Sequence, residues 1–235
     1  MSGEPLGGYQ GAPRRLGGTV HRGPIPDFSV LVLKELRRRG WRKAPVVIAS
    51  NADSCVLSYI DGMAATTRML RNEAVQLECL TEVTRIVREF HDLLAGADLA
   101  GDREVVCHND LQPPNTIYRR ISGRLLPVAL IDWDQAAPGD RLDDLAQLCW
   151  RFTGLGRSAS CETVRERIAV ILRTYGWRAG TKPVTKAMLR CQQKARDQIQ
   201  VGAGDGDDMF QRLRDAGALE SIQRDRDWTK AYLVD

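Results

Sequence analysis

No apolar run in this chain approaches the ~20 residues that a membrane-spanning helix needs. The first fifteen residues, MSGEPLGGYQGAPRR, also lack the apolar core of a secretory signal. No membrane partner is therefore expected. A disulfide framework and a zinc site are missing too. Cys55, Cys79, Cys107, Cys149, Cys161 and Cys191 form no C-x-x-C pair and show no zinc-ligand spacing with histidine. Thiols inside apolar stretches such as VVCHND and QLCWRF read as small core residues, which places the chain in a reducing compartment, the cytoplasm. An excess of one charge is absent as well: 34 basic against 30 acidic side chains leave +4, and the arginines are scattered. That pattern excludes the basic stripe with exposed aromatics that a nucleic-acid binder would carry.

What is present is an ordinary globular composition, 43% apolar and 27% charged, over 235 residues. Such a length holds one large domain or two modest lobes around a shared cleft. No internal repeat or low-complexity tract interrupts it. The first 26 residues are rich in glycine, proline and arginine, with extended candidates GAPRRLG and GTVHR between glycine-pair turns. From Asp27, an N-cap candidate, Phe28, Leu31, Val32 and Leu36 recur at helical spacing until Gly40. The apolar runs APVVIAS and SCVLSYI, separated by Asn51 and Asp53, predict a hairpin. Residues 64–95 predict one long helix with Leu77, Leu80, Val83, Ile86, Val87 and Phe90 on its buried face. A short buried strand at 104–107, a strand pair over 116–131 around Ser122-Gly123, and helices at 144–153, 161–176, 183–201 and 207–222 complete the chain.

Chemistry concentrates between the strand EVVC and that strand pair, in His108-Asn109-Asp110-Leu111-Gln112-Pro113-Pro114-Asn115. The pattern H-R-D-L-x-x-x-N is the catalytic loop of protein kinases, and only the arginine differs, replaced by Asn109. Asp132 follows seventeen residues after Asn115, at the end of an apolar strand. Phosphoryl transfer demands positioning and charge neutralisation rather than covalent help. Asp110 suits activation of a hydroxyl, while Asn115 and Asp132 are hard oxygen ligands for Mg²⁺ on the phosphates. Pro113 and Pro114 stiffen the turn between them.

CHNDLQPPNTIY followed by LIDWDQAAPGDRLDDLAQL strongly resembles the aminoglycoside phosphotransferase family, whose kinase-like fold is shared with choline kinases. The resemblance covers residues 104–150 and reaches back weakly to VREFH at 87–91. It implies Asp110 as catalytic base, Asn115 and Asp132 as magnesium ligands, and His108 and Asp144 as supports of the loop. Asp144 also reads as the cap of the following helix, with Gln147 completing a capping box. Asp134 and Asp140 receive no assignment.

The N-terminal region departs from the pattern. Gly7 and Gly8, in Leu6-Gly7-Gly8-Tyr9-Gln10-Gly11, are the candidate phosphate-covering turn. The strand GTVHR has no lysine, so Arg22 is the candidate phosphate ligand, and Glu35 the only candidate for a helix glutamate. Backbone around Ser58, Tyr59 and Ile60 is the expected adenine contact. The expected fold is α+β, a two-lobed protein-kinase-like architecture with a shortened β-rich N-lobe over 1–62, a hinge near 58–62, and a mainly helical C-lobe over 63–235. The expected reaction moves the γ-phosphoryl group of ATP or GTP to the hydroxyl of a small molecule, such as an aminoglycoside-like antibiotic or an amino alcohol. The alternative is a weak or inactive nucleotide-binding, pseudokinase-like scaffold, favoured by the missing Lys–Glu pair. A protein kinase is disfavoured because Asp134 stands where D-F-G has glycine and no A-P-E segment follows. The sequence sets no oligomeric state. Acidic Asp205, Asp207 and Asp208 read as a helix entry, and Trp150, Phe152 and Trp177 as core.

Overall fold

The computed structural model describes residues 3–6, 12–156 and 160–234. The chain forms two compact units, residues 1–144 and 145–235. In the first, β1 (Glu4–Pro5), β2 (Arg14–Leu16), β3 (Thr19–Arg22), β4 (Val47–Ser50) and β5 (Cys55–Ser58) build one antiparallel sheet in the order β1-β2-β3-β5-β4. The expected hairpin is present as β4 and β5. Its turn is closed by Asn51, whose Oδ1 accepts the Asp53 and Ser54 amides at 2.9 Å each, an Asx turn.

Helix α1 (Asp27–Arg38) joins β3 to β4. Asp27 is its first residue and not its cap; Pro26 takes that position. The Asp27 carboxylate instead meets the positive end of the helix dipole. Val32, Leu33 and Leu36 are buried, whereas Leu31 is 51% exposed, so the buried stripe is rotated from the one expected. The far end is a Schellman motif: the Trp41 amide donates to the Leu36 carbonyl and the Gly40 amide to the Arg37 carbonyl. Gly40 has φ of +82°, and the buried Trp41 side chain then reaches Phe90 at a ring separation of 5.8 Å.

The stretch 64–95 is not one helix. Met63 and Ala64 form β6 (Met63–Ala64), drawn into a three-stranded sheet by pairing with β8 (Thr116–Ile121), itself paired to β9 (Arg124–Leu130). Thr67 then caps α2 (Arg68–Ala74), and the extended Gln76 starts α3 (Leu77–Leu94). In α3, Leu80, Val83, Ile86, Val87 and Phe90 are buried as expected, while Leu77 lies 40% exposed. The strand at β7 (Val105–Cys107) is wholly buried and pairs with β10 (Ala137–Gly139), which has no clear sequence signal. Gly139 is required there by close approach: a Cβ on it would meet the Cys107 sulfur at 2.8 Å.

Helix α4 (Arg141–Arg151) leads out of this unit. The second unit adds α5 (Cys161–Tyr175), α6 (Thr181–Gly204), α7 (Asp208–Asp215) and α8 (Ala218–Tyr232). The expected helix over 207–222 is split at Gly217, which has φ of +76°. Asp207 caps α7, accepting the Met209 amide at 2.8 Å, so the acidic cluster is a helix entry. Trp150 and Phe152 are core, and the Trp150 indole donates to Asp225 at 2.8 Å. The six cysteines are free thiols, four of them buried. Among the described residues, no helix is long and apolar enough to cross a membrane.

Gly40→Ala tests the α1 terminus. Nothing lies within 4 Å of the added Cβ, so its cost is backbone strain alone, about 1–2 kcal/mol for a left-handed alanine. Urea denaturation should show that loss with an unchanged m-value.

Candidate active site

The loop after β7 is shaped by one buried carboxylate. Asp144 is fully buried. It accepts the His108 amide at 2.7 Å, the Asn109 amide at 2.9 Å, and His91 Nε2 at 3.0 Å. Burial alone would raise its pKa, but the bonds from His91 and from the His108 amide hold it below the usual carboxylate range. Asp144 is thus inside α4 and is not its cap. One turn earlier, Asp143 Oδ2 accepts the Asp140 amide at 3.2 Å and the Asp143 amide donates to the Asp140 carbonyl at 2.8 Å.

This anchorage lets Asn109 take φ of +61°, a left-handed conformation that asparagine tolerates better than most residues. Its Nδ2 donates to the Gln135 carbonyl at 3.2 Å. His108 is buried, accepting the Asp110 amide on Nδ1 at 3.3 Å, which leaves Nε2 to donate to the Ile131 carbonyl at 3.1 Å. Those partners describe a neutral imidazole that ties the loop to the end of β9.

A single 3-10 turn, Pro113–Asn115, returns Asn115 to Asp110. Asn115 Nδ2 donates to Asp110 Oδ2 at 2.6 Å and to the Asp110 carbonyl at 3.0 Å. Gln112 Nε2 bridges both Asp110 oxygens at 3.1 and 3.2 Å. Asp110 is therefore aimed by two amides. Gln112 carried no sequence signal beyond its place inside the motif.

Asp132 also has positive φ, +63°, and starts the 3-10 turn Trp133–Gln135. Trp133 is the wedge of that turn. It is buried, its indole donates to the Leu130 carbonyl at 3.1 Å, and its own carbonyl accepts Ser29 Oγ from α1 at 2.8 Å. Its ring meets His108 at 4.6 Å and Phe90 at 5.2 Å between centroids. The wedge sets Asp132 and Asp134 toward one guanidinium: Arg22 donates to Asp132 Oδ1 at 3.2 Å and to Asp134 Oδ2 at 2.6 Å. Burial pushes Asp134 upward and Arg22 only partly offsets it, while Asp132 and Asp110 add repulsion. With Asp132 and Asp110 both within Coulomb reach of Asp134, the arrangement favours a cation nearby.

The structure thus gathers Arg22, His108, Asp110, Asn115, Asp132 and Asp144. Gly7 and Gly8 lie outside the described residues. At the adenine contact, the Ser58 and Tyr59 amides already donate to the Val46 and Gly18 carbonyls at 2.8 Å each, so of the three expected positions Ile60 is the one left to offer its N–H. Glu35 is not the partner of Arg22: its oxygens hold Arg38 and Arg39 at 2.6–2.7 Å on its own helix. Asp134 and His91 are the residues that sequence reasoning passed over. The D-x-D spacing was the available signal for the first.

The donor set fits a hard divalent cation. Asp132 offers carboxylate oxygens, and the Asn115 amide nitrogen is spent on Asp110, directing its oxygen elsewhere. The buried trio His91, Cys107 and Asp144, with ligand atoms within 4.8 Å of one another, does not fit one. Asp144 is already committed to three donors. Burial pushes the Cys107 thiol far upward, so it stays protonated and donates to the Asp140 carbonyl at 3.2 Å. A separate groove of about 660 Å³ between α6 and α7, lined by Arg190, Lys194, Asp197, Val201 and Phe210, contains none of these residues.

Residues 32–180 match the profile of the phosphotransferase enzyme family. The trifolitoxin immunity protein of Rhizobium leguminosarum bv. trifolii is 31% identical over 163 residues, covering 61% of this chain and 59% of that protein. The match thus spans less than two thirds of the relative's length. Among solved structures, a choline/ethanolamine kinase family protein from Mesorhizobium loti aligns with a TM-score of 0.64 at 15% identity, over 98% of this chain and 93% of that one. The streptomycin–ATP–APH(2″)-IIa ternary complex aligns with a TM-score of 0.56 at 17% identity, over 88% and 90%. At these identities the likeness carries the fold: kinase-like α+β, with a small antiparallel N-terminal sheet and a mainly helical C-terminal part.

The Asp144 network gives acid stability a definite sign. A carboxylate held low in the folded state stabilises above its unfolded pKa, about 4, and that contribution is lost as pH falls below it. Asp144→Asn should therefore cost roughly 3 kcal/mol near neutral pH, and its difference from wild type should shrink below about pH 4. Urea midpoints across that range are the measurement.

Proposed function

As the chain belongs to the phosphotransferase enzyme family, we propose that it transfers the γ-phosphoryl group of ATP or GTP to a hydroxyl of a small molecule. The observation that carries this reading is the 2.6 Å bond from Asn115 to Asp110, set within Coulomb reach of the Asp134 carboxylate and its neighbour Asp132. One loop then offers both a base and an oxygen ligand, and the facing turn offers carboxylates.

Asp110 accepts the acceptor hydroxyl's proton, or orients that hydroxyl for in-line attack, with Gln112 and Asn115 fixing its rotamer. Asn115 and Asp132 would hold Mg²⁺. Bound there, the ion would neutralise charge on the transferring phosphate. Arg22 steadies the phosphates, and His108 holds the loop as a neutral hydrogen-bond bridge. The Ile60 backbone meets the purine, and residues 58–62 serve as the hinge between an N-lobe of 1–62 and a C-lobe of 63–235. A relative named for toxin immunity and neighbours named for aminoglycosides and choline or ethanolamine support an acceptor of the antibiotic or amino-alcohol kind.

Calorimetric titration with ATP and with GTP, with and without Mg²⁺, tests the reading. Wild type should bind with a magnesium-dependent gain that Asp132→Ala abolishes. Asp110→Asn should keep nucleotide affinity and lose about 10²–10⁴-fold in turnover on a hydroxyl-bearing acceptor. Failure of the wild-type protein to bind either nucleotide would sink the reading and leave the scaffold alternative.

A further inference from the structure

Kinase-like sites need a fixed cation beside the phosphates, held there by a carboxylate that does not itself ligate metal. Among the described residues no strand carries a lysine, and Glu35, the one candidate helix glutamate, is engaged with Arg38 and Arg39. Arg22 nevertheless has a partner of its own. Its two bonds are unequal: 2.6 Å to Asp134 and 3.2 Å to Asp132. The shorter is a charge-assisted bond to the less exposed carboxylate, with side-chain exposures of 28% for Asp134 and 44% for Asp132.

The mounting of Asp134 is rigid on both sides. Trp133 is wedged among Phe90, Trp41 and His108. Ser29 holds the Trp133 carbonyl, and Asn109 holds the Gln135 carbonyl. Asp134 is therefore a fixed post between two pinned residues. A guanidinium carries five N–H donors, so one oxygen of Asp134 can hold it while others stay available to phosphate. If Asp132 turns to a cation, the weaker 3.2 Å bond is the one given up.

We propose that Asp134 is the positioning residue for Arg22, replacing the missing Lys–Glu pair with an Arg–Asp pair built on the D-x-D turn. The inference rests on the phosphotransfer reading above. Without Asp134, Asp132 is the one carboxylate among the described residues left to pair with Arg22, where it competes with the cation that carboxylate would hold.

The test is a double-mutant cycle on the full chain, read by calorimetry with ATP and with adenosine, in Mg²⁺ and in EDTA. Asp134→Asn should weaken ATP about tenfold, the scale of one charge-assisted bond, and leave adenosine within about twofold. Arg22→Ala should weaken ATP similarly, and adding Asp134→Asn to it should cost nothing further. Asp134→Glu, which keeps the charge, should recover most of the loss. Circular dichroism checks each variant, and Asp134→Ser replaces Asp134→Asn if the amide variant does not fold. An Asp134 effect that persists undiminished in the Arg22→Ala background overturns the proposal, as does an equal loss of adenosine or no loss of ATP. Wild type that binds no nucleotide overturns the phosphotransfer reading together with this one. Wild type that binds without depending on Asp134 overturns this one alone.

Discussion

Asp144 has no exposed surface, yet it must stay ionised to receive three donors at once. Its two amide bonds fix the backbone of His108 and Asn109. From there, the positive φ of Asn109 and the Nδ1 contact of His108 determine where Asp110 begins. The third donor, His91, comes from α3, whose buried face runs along β7 and β9. The site thus inherits its geometry from a helix that contributes nothing to the reacting groups. An uncompensated carboxylate at this depth would be among the most costly single defects the chain could carry.

A second constraint works from the other side of the loop. Trp133 fills space between Trp41, Phe90 and His108, and that packing dictates the left-handed start at Asp132. Left-handed aspartate is uncommon, and its strain persists because the tryptophan on one side and the β9 ladder on the other overdetermine it. The two carboxylates of the D-x-D turn then project to the same guanidinium. Aromatic packing and electrostatics are therefore coupled through three consecutive residues.

How much of this was legible follows from distance along the chain. Asp110 and Asn115 lie five residues apart, and the loop between them has a recognisable spacing, so this carboxylate–amide pair could be named from sequence. The D-x-D spacing could single out Asp134 but not its partner, because Arg22 is 112 residues away and no local pattern announces the pair. The same limit broke the helix expected over 64–95: Met63 and Ala64 pair with Tyr118 and Ile117, a contact that helix propensity does not contain. Asp144 misled for another reason. An acid three residues before Gln147 satisfies the capping-box pattern, and Asp140 with Asp143 satisfies a version of it one turn earlier. Local chemistry allowed both, and the donors from the loop after β7 and from α3 decided between them.

Gly139 and Cys107 occupy facing strands, Gly139 opposite Val105 and Cys107 opposite Ala137. The space between them is filled by sulfur where a Cβ would otherwise stand. Each residue is tolerable only because the other is what it is. Across divergent members of the lineage, these two positions should drift as a pair: a side chain gained at 139 would call for a smaller residue at 107. The thiol's conservation or loss would then record the history of a steric compromise rather than of any reactivity.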